Sequence, residues 1–194
     1  MQTITKSYQV YKYAELSENS KEKVRFNFGV EDAQIETEDL TYKLEQQLIE
    51  KYPYFEKPEF QWSCSNSQGD GLSFSCDIDL DIYLSKEFPT LKQSLKDIVS
   101  SELSIKSTGN KSRYCYASEC DIECSYLHLD SYKHIEKWTC IVIDAITEKY
   151  MDVCNEFYIN ACKSYDYLYT EEYAQDTCDA NEYTFLEDGT MFNC

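Results

Sequence analysis

The clearest periodic pattern in the chain lies in EFQWSCSNSQGDGLSFSCDIDLDIYL, residues Glu59–Leu84. From Leu72 to Leu84, apolar residues alternate with serine, aspartate and tyrosine. Because successive side chains of a strand point to opposite faces, this alternation predicts a long strand with one apolar and one acidic face. A second alternating run, Phe60–Cys64, precedes the glycine-containing loop Ser67–Gly71. Two such runs joined by a short loop predict a β-hairpin.

The segments around this hairpin are predicted from their own periodicities and from helix-ending residues. Helices are predicted for Ser17 to Gly29, Thr37 to Pro53, the segment after Pro89, Asp130 to about Lys163, and Thr170–Cys178. Further strands are predicted for Ser7–Ala14, Arg113–Ala117 and Asp121–Leu129, a loop for Ser107–Ser112, and a small closing hairpin for Glu182 to Asn193. This order predicts an α+β fold, an antiparallel β-sheet with helices packed on one face.

The length of 194 residues is typical of one domain. We therefore predict a single α+β domain, and the sequence leaves open whether residues 130–194 form a helical C-terminal subdomain. The start of the sequence lacks the apolar segment of a signal peptide, and no apolar run is long enough to cross a bilayer. These features predict a cytoplasmic protein whose ten cysteines are free thiols.

The charge is strongly negative, with 36 acidic residues against 18 basic ones and a formal net charge of −18. Phosphates would be repelled, so direct binding to nucleic acid or to an anionic membrane is not expected. The charge instead favours a basic protein as the partner. The alternative is a soluble, self-repelling surface without a partner.

Rows of carboxylates are the candidate binding residues. On the predicted strand, Asp77, Asp79 and Asp81 share the acidic face with neighbours roughly 6.7 Å apart. Asp121 and Glu123 form a second row on a later strand, and a third acidic pair, Glu171 and Glu172, opens the short C-terminal helix. Such rows resemble the phosphates of a nucleic acid. A solvated polar face and a divalent-metal site are the alternatives, although a flat strand does not converge on one point.

The loop Ser67–Gly71 offers a different chemistry. Its backbone amides could hold an anion, and Asp70 could bind a metal ion or a hydroxyl group. The loop is not a P-loop, because no Gly-Lys-Ser/Thr and no helix follow it. The alternative is a turn in which the Asp70 carboxylate caps its own backbone.

Cysteine and histidine chemistry is not favoured by the spacing. If Asp121–Leu129 is a strand, Cys120, Cys124 and His128 share a face, but residues four apart lie about 13 Å from one another and cannot share one zinc ion. Cys115 does not supply the usual paired spacing, and no motif supports a Cys–His nucleophile with His128 or His134. We therefore predict no enzyme activity, no metal and no cofactor.

Several short motifs resemble a family of small acidic proteins encoded by bacterial phages and prophages. The matching residues are Tyr13–Ser17 with Lys21 and Lys23, then Trp62, Ser67–Gly71 and Phe74, then Arg113–Tyr116, and finally Ala180–Tyr183 with Phe185 and Glu187–Gly189. The chain departs from that family in its many cysteines and in Ala14, where an acidic residue is expected. The resemblance implies a phage origin, a cytoplasmic location in the host cell, and a role against or alongside host machinery.

Three hypotheses on function follow. The first is an inhibitor of a bacterial defence system, of the anti-CRISPR or anti-restriction type, that occupies a basic groove of a CRISPR effector or restriction enzyme. The second is a nucleotide, small-molecule or metal-binding protein, including a hydrolase, that uses the Ser67–Gly71 loop. The third is an antitoxin-like partner of a basic toxin. The sequence does not decide the oligomeric state, and homo-oligomers remain open.

Overall fold

The computed structural model describes residues 6–65, 67–110, 114–127 and 132–192. Contacts divide the chain into two compact units, one formed by Met1–Asp39 with Lys163–Cys194 and the other by Leu40–Cys162. Across the described residues, no helix combines the length and the apolar character that crossing a membrane requires.

The larger unit contains a four-stranded antiparallel sheet in the order β1-β2-β3-β4. Its strands are β1 (Phe55–Ser63), β2 (Gly71–Ile78), β3 (Leu103–Asn110) and β4 (Cys120–Tyr126). Apolar residues alternate with polar ones along β2, and its apolar set is buried: Leu72, Phe74, Cys76 and Ile78. The sheet therefore has an apolar face in the core and a second, polar face, which we call the outer face.

Helices that lie before, between and after the strands in the sequence supply the rest of the core. The helices are α1 (Glu18–Lys51), α2 (Leu80–Glu87), α3 (Gln93–Glu102), α4 (Tyr132–Tyr167) and α5 (Glu171–Ala180). The second part of α1 contributes Leu44 and Leu48 to the core of the larger unit, and α4 contributes Val142, Ile146 and Phe157. The predicted α+β class, with an antiparallel sheet and helices on one face, is confirmed.

The smaller unit joins the two ends of the described chain. Tyr11 and Phe185 form an antiparallel bridge, with backbone hydrogen bonds of 2.9 Å in both directions. Their neighbours belong to a separate apolar cluster that includes Val24, Phe28 and Ala174. The N-terminal and C-terminal motifs of the family resemblance thus meet in one unit, where they have a structural role.

One helix boundary was predicted wrongly because a glycine was taken as a stop. Gly29 lies inside α1, which runs without interruption through the segment where two helices were predicted. The reason is packing, since a Cβ atom at Gly29 would lie 2.3 Å from the Tyr169 ring. Glycine is therefore present to admit an aromatic ring and not to end the helix.

Three further strand and loop predictions were also wrong. Ser7–Ala14, predicted as a strand, contains only the isolated bridge at Tyr11 and the start of a short 3-10 helix at Tyr13. Residues 107–110, predicted as a loop, belong to β3, where Leu103, Ile105 and Ser107 are buried and alternate with exposed or half-buried neighbours. Residues 114–116, predicted as a strand, are irregular and lead into a short 3-10 helix at Ala117–Glu119. The predicted strand at Asp121–Leu129 is confirmed over β4, and its last residues, with His128, lie outside the described chain.

Candidate functional site: the outer face of the sheet

The outer face of the sheet carries carboxylates from three of its four strands. In antiparallel pairs, residues directly opposite each other share a face, so the register assigns each side chain. Five exposed acidic residues lie on the outer face, namely Glu56, Glu59, Asp77, Asp121 and Glu123. They share it with one exposed lysine of β3, Lys106, and the exposed Lys57 lies in the β1 bulge. The face is therefore acidic, although its charges differ from those predicted.

The central charges run across the strands and not along one of them. Glu56 is opposite Asp77, Asp77 is opposite Lys106, and Lys106 is opposite Glu123. Neighbouring strands are about 4.8 Å apart, so four charged groups follow one another at roughly that spacing. Lys106 and Glu123 form an ion pair of 3.1 Å, and their side chains remain 53% and 44% exposed. Two predicted residues, Asp77 and Glu123, are thus brought into one row.

The predicted row of Asp77, Asp79 and Asp81 along a single strand is wrong. β2 ends at Ile78, and Asp79 is the N-cap of α2, where its carboxylate accepts a hydrogen bond of 2.9 Å from the Ile82 backbone N–H. Asp81 lies in the first helical turn. Asp79 therefore provides a hydrogen-bond acceptor for a free backbone N–H at the start of α2, a structural role that short acidic side chains commonly have.

The pattern beyond Ile78 was ambiguous in the sequence. Leu80, Tyr83 and Leu84 are spaced for one helical face, and all three are buried in α2. The same segment also alternates as a strand would, but Ile82, which that alternation places in the core, is 39% exposed. The helical spacing thus determines the structure, and the acidic surface ends where β2 ends.

Asp70 organises its own loop. Its carboxylate accepts hydrogen bonds from the hydroxyls of Ser63, Ser65 and Ser67 at 2.8, 2.9 and 3.0 Å. The backbone N–H of Ser67 donates a fourth bond of 2.8 Å. Desolvation raises the pKa of Asp70, but these hydrogen bonds outweigh it and hold the pKa well below its usual range. Both oxygens have donors within the loop, which matches the alternative of a self-capping turn.

The loop rests on the segment after β3. The backbone N–H of Cys115 donates to the Gly69 carbonyl at 3.0 Å, and a Cβ atom at Gly69 would lie 2.6 Å from the Tyr114 ring. Beside this contact is an open pocket of about 300 Å³, whose wall includes Asp70, Tyr116 and Tyr158. Two further motifs of the family resemblance thus meet at one pocket.

The predicted pair at the start of α5 belongs to the smaller unit. The Glu171 carboxylate forms ion pairs with Lys21 at 3.4 Å and with Arg25 at 3.7 Å. Its charge is therefore partly neutralised within its own unit, whereas Glu172 is exposed. Among the carboxylates predicted as binding residues, the outer face brings together only Asp77, Asp121 and Glu123.

A disulfide contradicts the expectation of free thiols. Cys64, just after β1, pairs with Cys162 on α4, with their Cα atoms 5.7 Å apart. The cysteines are separated by 98 residues in sequence, so only the folded chain reveals the pair. The prediction that all ten cysteines are free thiols is therefore wrong for Cys64 and Cys162. Among the described residues, no group of three histidine, cysteine or acidic side chains is placed to hold a metal ion.

Three residues of the outer face were missed by the sequence analysis. Glu56 and Glu59 flank a bulge in β1, which hides their alternation, and Lys106 belongs to a strand of which part was predicted as a loop. The signal that could have identified Lys106 is the alternation from Leu103 to Thr108.

A scan against protein-family models found no match, and neither did searches of curated proteins and of solved structures. The resemblance to acidic phage proteins therefore stays a prediction.

Proposed function

We propose that this protein is a phage-encoded inhibitor that binds, in a fixed stoichiometry, a basic protein of a bacterial defence system. The outer face of the sheet would occupy a groove that otherwise holds nucleic acid, as in a CRISPR effector or a restriction enzyme. The observation that supports this proposal is the set of five exposed carboxylates on the outer face, which they share with a single exposed lysine of β3, Lys106. The formal net charge of −18 acts in the same direction.

The charges of such a face would act mainly on association. Complementary potentials steer two proteins together and make the association rate fall as salt rises. Exposed ion pairs contribute about 0.2–1 kcal/mol each, so affinity would come from several of them together with the contact area around them. The row from Glu56 to Glu123 is roughly 14 Å long, at three strand spacings. That length allows several basic residues of a partner to bind simultaneously.

Charge reversal on the face tests the proposal. The variant Glu59→Lys, Asp77→Lys, Glu123→Lys changes three exposed side chains of the outer face. The matched control Glu22→Lys, Glu38→Lys, Asp39→Lys makes the same change of net charge on exposed residues of α1 in the smaller unit. Loss of three exposed pairs at about 0.2–1 kcal/mol each predicts an affinity roughly 3-fold to 150-fold lower for the first variant.

The assay is capture from a bacterial lysate at low salt, followed by identification of the bound protein and a titration with it. We expect a nucleic-acid-binding protein that double-stranded DNA displaces, that the control variant retains and that the outer-face variant loses. Equal capture by both triple variants would reject the outer face as the binding surface. Capture of a basic toxin without DNA competition would instead support the antitoxin-like hypothesis.

A second candidate function is small-molecule binding at the pocket beside the Ser67–Gly71 loop. The pocket has a volume of about 300 Å³, and Tyr116, Tyr158 and Asn155 contribute aromatic and amide groups to it. A ligand of the folded protein raises its melting temperature. Nucleotides would therefore be screened by thermal unfolding with the wild type and with Asn155→Ala. A rise in melting temperature that Asn155→Ala abolishes would support this function over the first.

A further inference from the structure

A polar cavity of about 210 Å³ lies in the outer face of the sheet, where β3 separates from β2. The pairing of these strands ends at Ser75 and Thr108, and no described residue of β3 pairs with Ser73. Just beyond, Gly109 has a φ of 65°, in the left-handed region, and the register of β3 with β4 shifts after Ser107. A bulge of this kind bends its strand. The cavity therefore lies where β3 bends away from its neighbour.

The cavity is lined by side chains that the strand register directs to the outer face. Glu59 is opposite Ser75, and Gln61 is opposite Ser73, so each pair shares this face. Thr108, opposite Ser75 on its other side, completes the set. The volume is several times the ~30 Å³ that one water molecule takes in the liquid. The cavity therefore has room for a small planar group.

Ser73 supplies an observation that points to a ligand. Its side chain is 0% exposed, and its hydroxyl has no hydrogen-bond partner among the described residues. The buried hydroxyl of Ser107, by contrast, donates to the Phe74 carbonyl at 2.9 Å. Buried hydroxyls almost always have a partner. Because the register directs the Ser73 side chain to the face where the cavity lies, its hydroxyl indicates a group that enters the cavity from outside the chain.

The charge around the cavity is negative. Among the described residues that line it, Glu59 alone is charged, and its side chain is exposed. Asp77 follows Ser75 on the same strand and the same face, at roughly 6.7 Å. Lys106, opposite Asp77, already pairs with Glu123 at 3.1 Å. The cavity therefore favours a cation with N–H donors over an anion.

We propose that this cavity binds the guanidinium group of an arginine side chain presented by the basic partner, an inference that rests on the function proposed above. Ser73 and Ser75 are two positions apart on β2, so their Cα atoms are roughly 6.7 Å apart. A lysine ammonium would have to reach both hydroxyls from one nitrogen, with hydrogen bonds of at most about 3.2 Å. A guanidinium carries five N–H donors on a planar fork and reaches separated acceptors. A divalent cation needs about six oxygens around one point, and the described residues offer no acidic cluster of that kind.

The cavity and the exposed carboxylates would have different roles in binding. Exposed charges steer association and are screened by salt. A side chain that enters a cavity is removed from water, and arginine is enriched among the few residues that carry most of the binding energy of an interface. The buried Ser73 hydroxyl would accept an N–H at the inner end of the cavity, and Glu59 would pair with the same group at the exposed end.

The test uses Nα-acetyl-L-argininamide as the probe, in which the guanidinium is the only charge. Nα-acetyl-L-citrullinamide is its neutral isostere, and Nα-acetyl-L-lysinamide carries an ammonium instead. Binding is followed at low salt by amide chemical-shift titration of the full chain. We expect the arginine probe to shift the resonances of Ser73, Ser75 and Thr108 saturably, and the other two to bind at least about fivefold more weakly. Equal binding by either control probe would overturn the assignment.

Variants then locate the site. Ser73→Ala removes a hydroxyl without a hydrogen bond, so it should not lower the melting temperature, and it should weaken binding of the arginine probe about fivefold. Glu59→Gln should weaken this binding about threefold. The matched control Ser104→Ala removes an exposed hydroxyl of β3 and should bind as the wild type does. A lower melting temperature of Ser73→Ala would show that its hydroxyl has a partner in the folded chain, and wild-type binding by this variant would show that the cavity is not the site.

The result can be separated from that of the proposed function, because the probe does not require the partner. Saturable binding of the probe that depends on Ser73, without capture of a defence protein, would support the cavity and reject the proposed function. Capture of a defence protein with equal affinity by the wild type and by Ser73→Ala, without binding of the probe, would reject the cavity alone.

Discussion

Replacing Tyr150 with phenylalanine removes one hydroxyl from the core and tests how the sheet and α4 are joined. This hydroxyl accepts a hydrogen bond of 2.9 Å from the Phe74 backbone N–H and donates one of 2.8 Å to the carbonyl of the same residue. The pairing of β2 with β3 starts only at Ser75. At Phe74, a helix side chain thus supplies the hydrogen bonds that a neighbouring strand would otherwise make.

The cost of the substitution follows from which partners remain. The Phe74 carbonyl keeps a bond of 2.9 Å from the Ser107 hydroxyl, whereas the Phe74 N–H loses its partner. Phe74 is 0% exposed, so water does not replace the lost hydroxyl. A buried N–H without a partner costs roughly 1–3 kcal/mol, and we therefore expect Tyr150→Phe to lower the free energy of unfolding by about 2 kcal/mol. For a chain of this size, the melting temperature should fall by roughly 4–8 °C.

The assay is urea unfolding followed by tryptophan fluorescence. Trp62 and Trp138 both belong to the larger unit, as Tyr150 does, so the signal reports the unit that is perturbed. Tyr42→Phe is the matched control, because Tyr42 is 62% exposed and the substitution should change stability by less than about 0.5 kcal/mol. If Tyr150→Phe were as stable as this control, the argument that the hydroxyl completes the sheet would be refuted.

Three further substitutions test other features of the fold. Cys64→Ser with Cys162→Ser opens a loop closed over 98 residues, and the loss of unfolding free energy should approach, without exceeding, about 4.7 kcal/mol in chemical denaturation. Folding lowers the pKa of Asp70, because hydrogen bonds to its carboxylate outweigh desolvation. The carboxylate therefore adds to the free energy of unfolding above the unfolded pKa of about 4, and this stabilisation is lost as pH falls below that value. Asp70→Asn should therefore lower the melting temperature at pH 7 and flatten its decline towards pH 2; an unchanged acid profile would refute this. Gly29→Ala should destabilise the chain in spite of alanine's better helix propensity of about 1 kcal/mol, because its Cβ would lie 2.3 Å from the Tyr169 ring, and a higher melting temperature would show that the ring moves aside.

The parts of the fold that were predicted correctly have one strong period each. The apolar alternation of β2 up to Ile78 and the stripe from Val142 to Ala161 in α4 are both buried, as their spacing indicates. Two of the errors have an identifiable physical cause. At Leu80–Leu84 the strand and helix periods coincide, and the N-cap at Asp79 favours the helix. At Gly29 a tertiary contact overrides the usual meaning of glycine.

The composition of the outer face could not be predicted, since it depends on which strands are neighbours. A row along one strand can be read from sequence, but the row from Glu56 to Glu123 uses four strands and three registers. The bulge between Glu56 and Glu59 also shifts the alternation of β1 by local geometry. The disulfide is hidden for the same reason, because it joins residues that are distant in sequence.

The net charge alone does not explain a binding surface. At physiological ionic strength, charges more than about 8 Å apart are largely screened from each other, so most of the acidic residues cannot act together on one partner. What a partner meets is the local set of carboxylates within that distance, and on the outer face this set is fixed by strand register. A variant with the same net charge but a different local set should then bind differently. The outer-face variant and the α1 control variant have the same net charge, but their substitutions lie in different places. Equal salt-dependent losses of affinity in both variants would show that only the total charge matters. A larger loss in the outer-face variant would show that the position of the charges on the sheet matters.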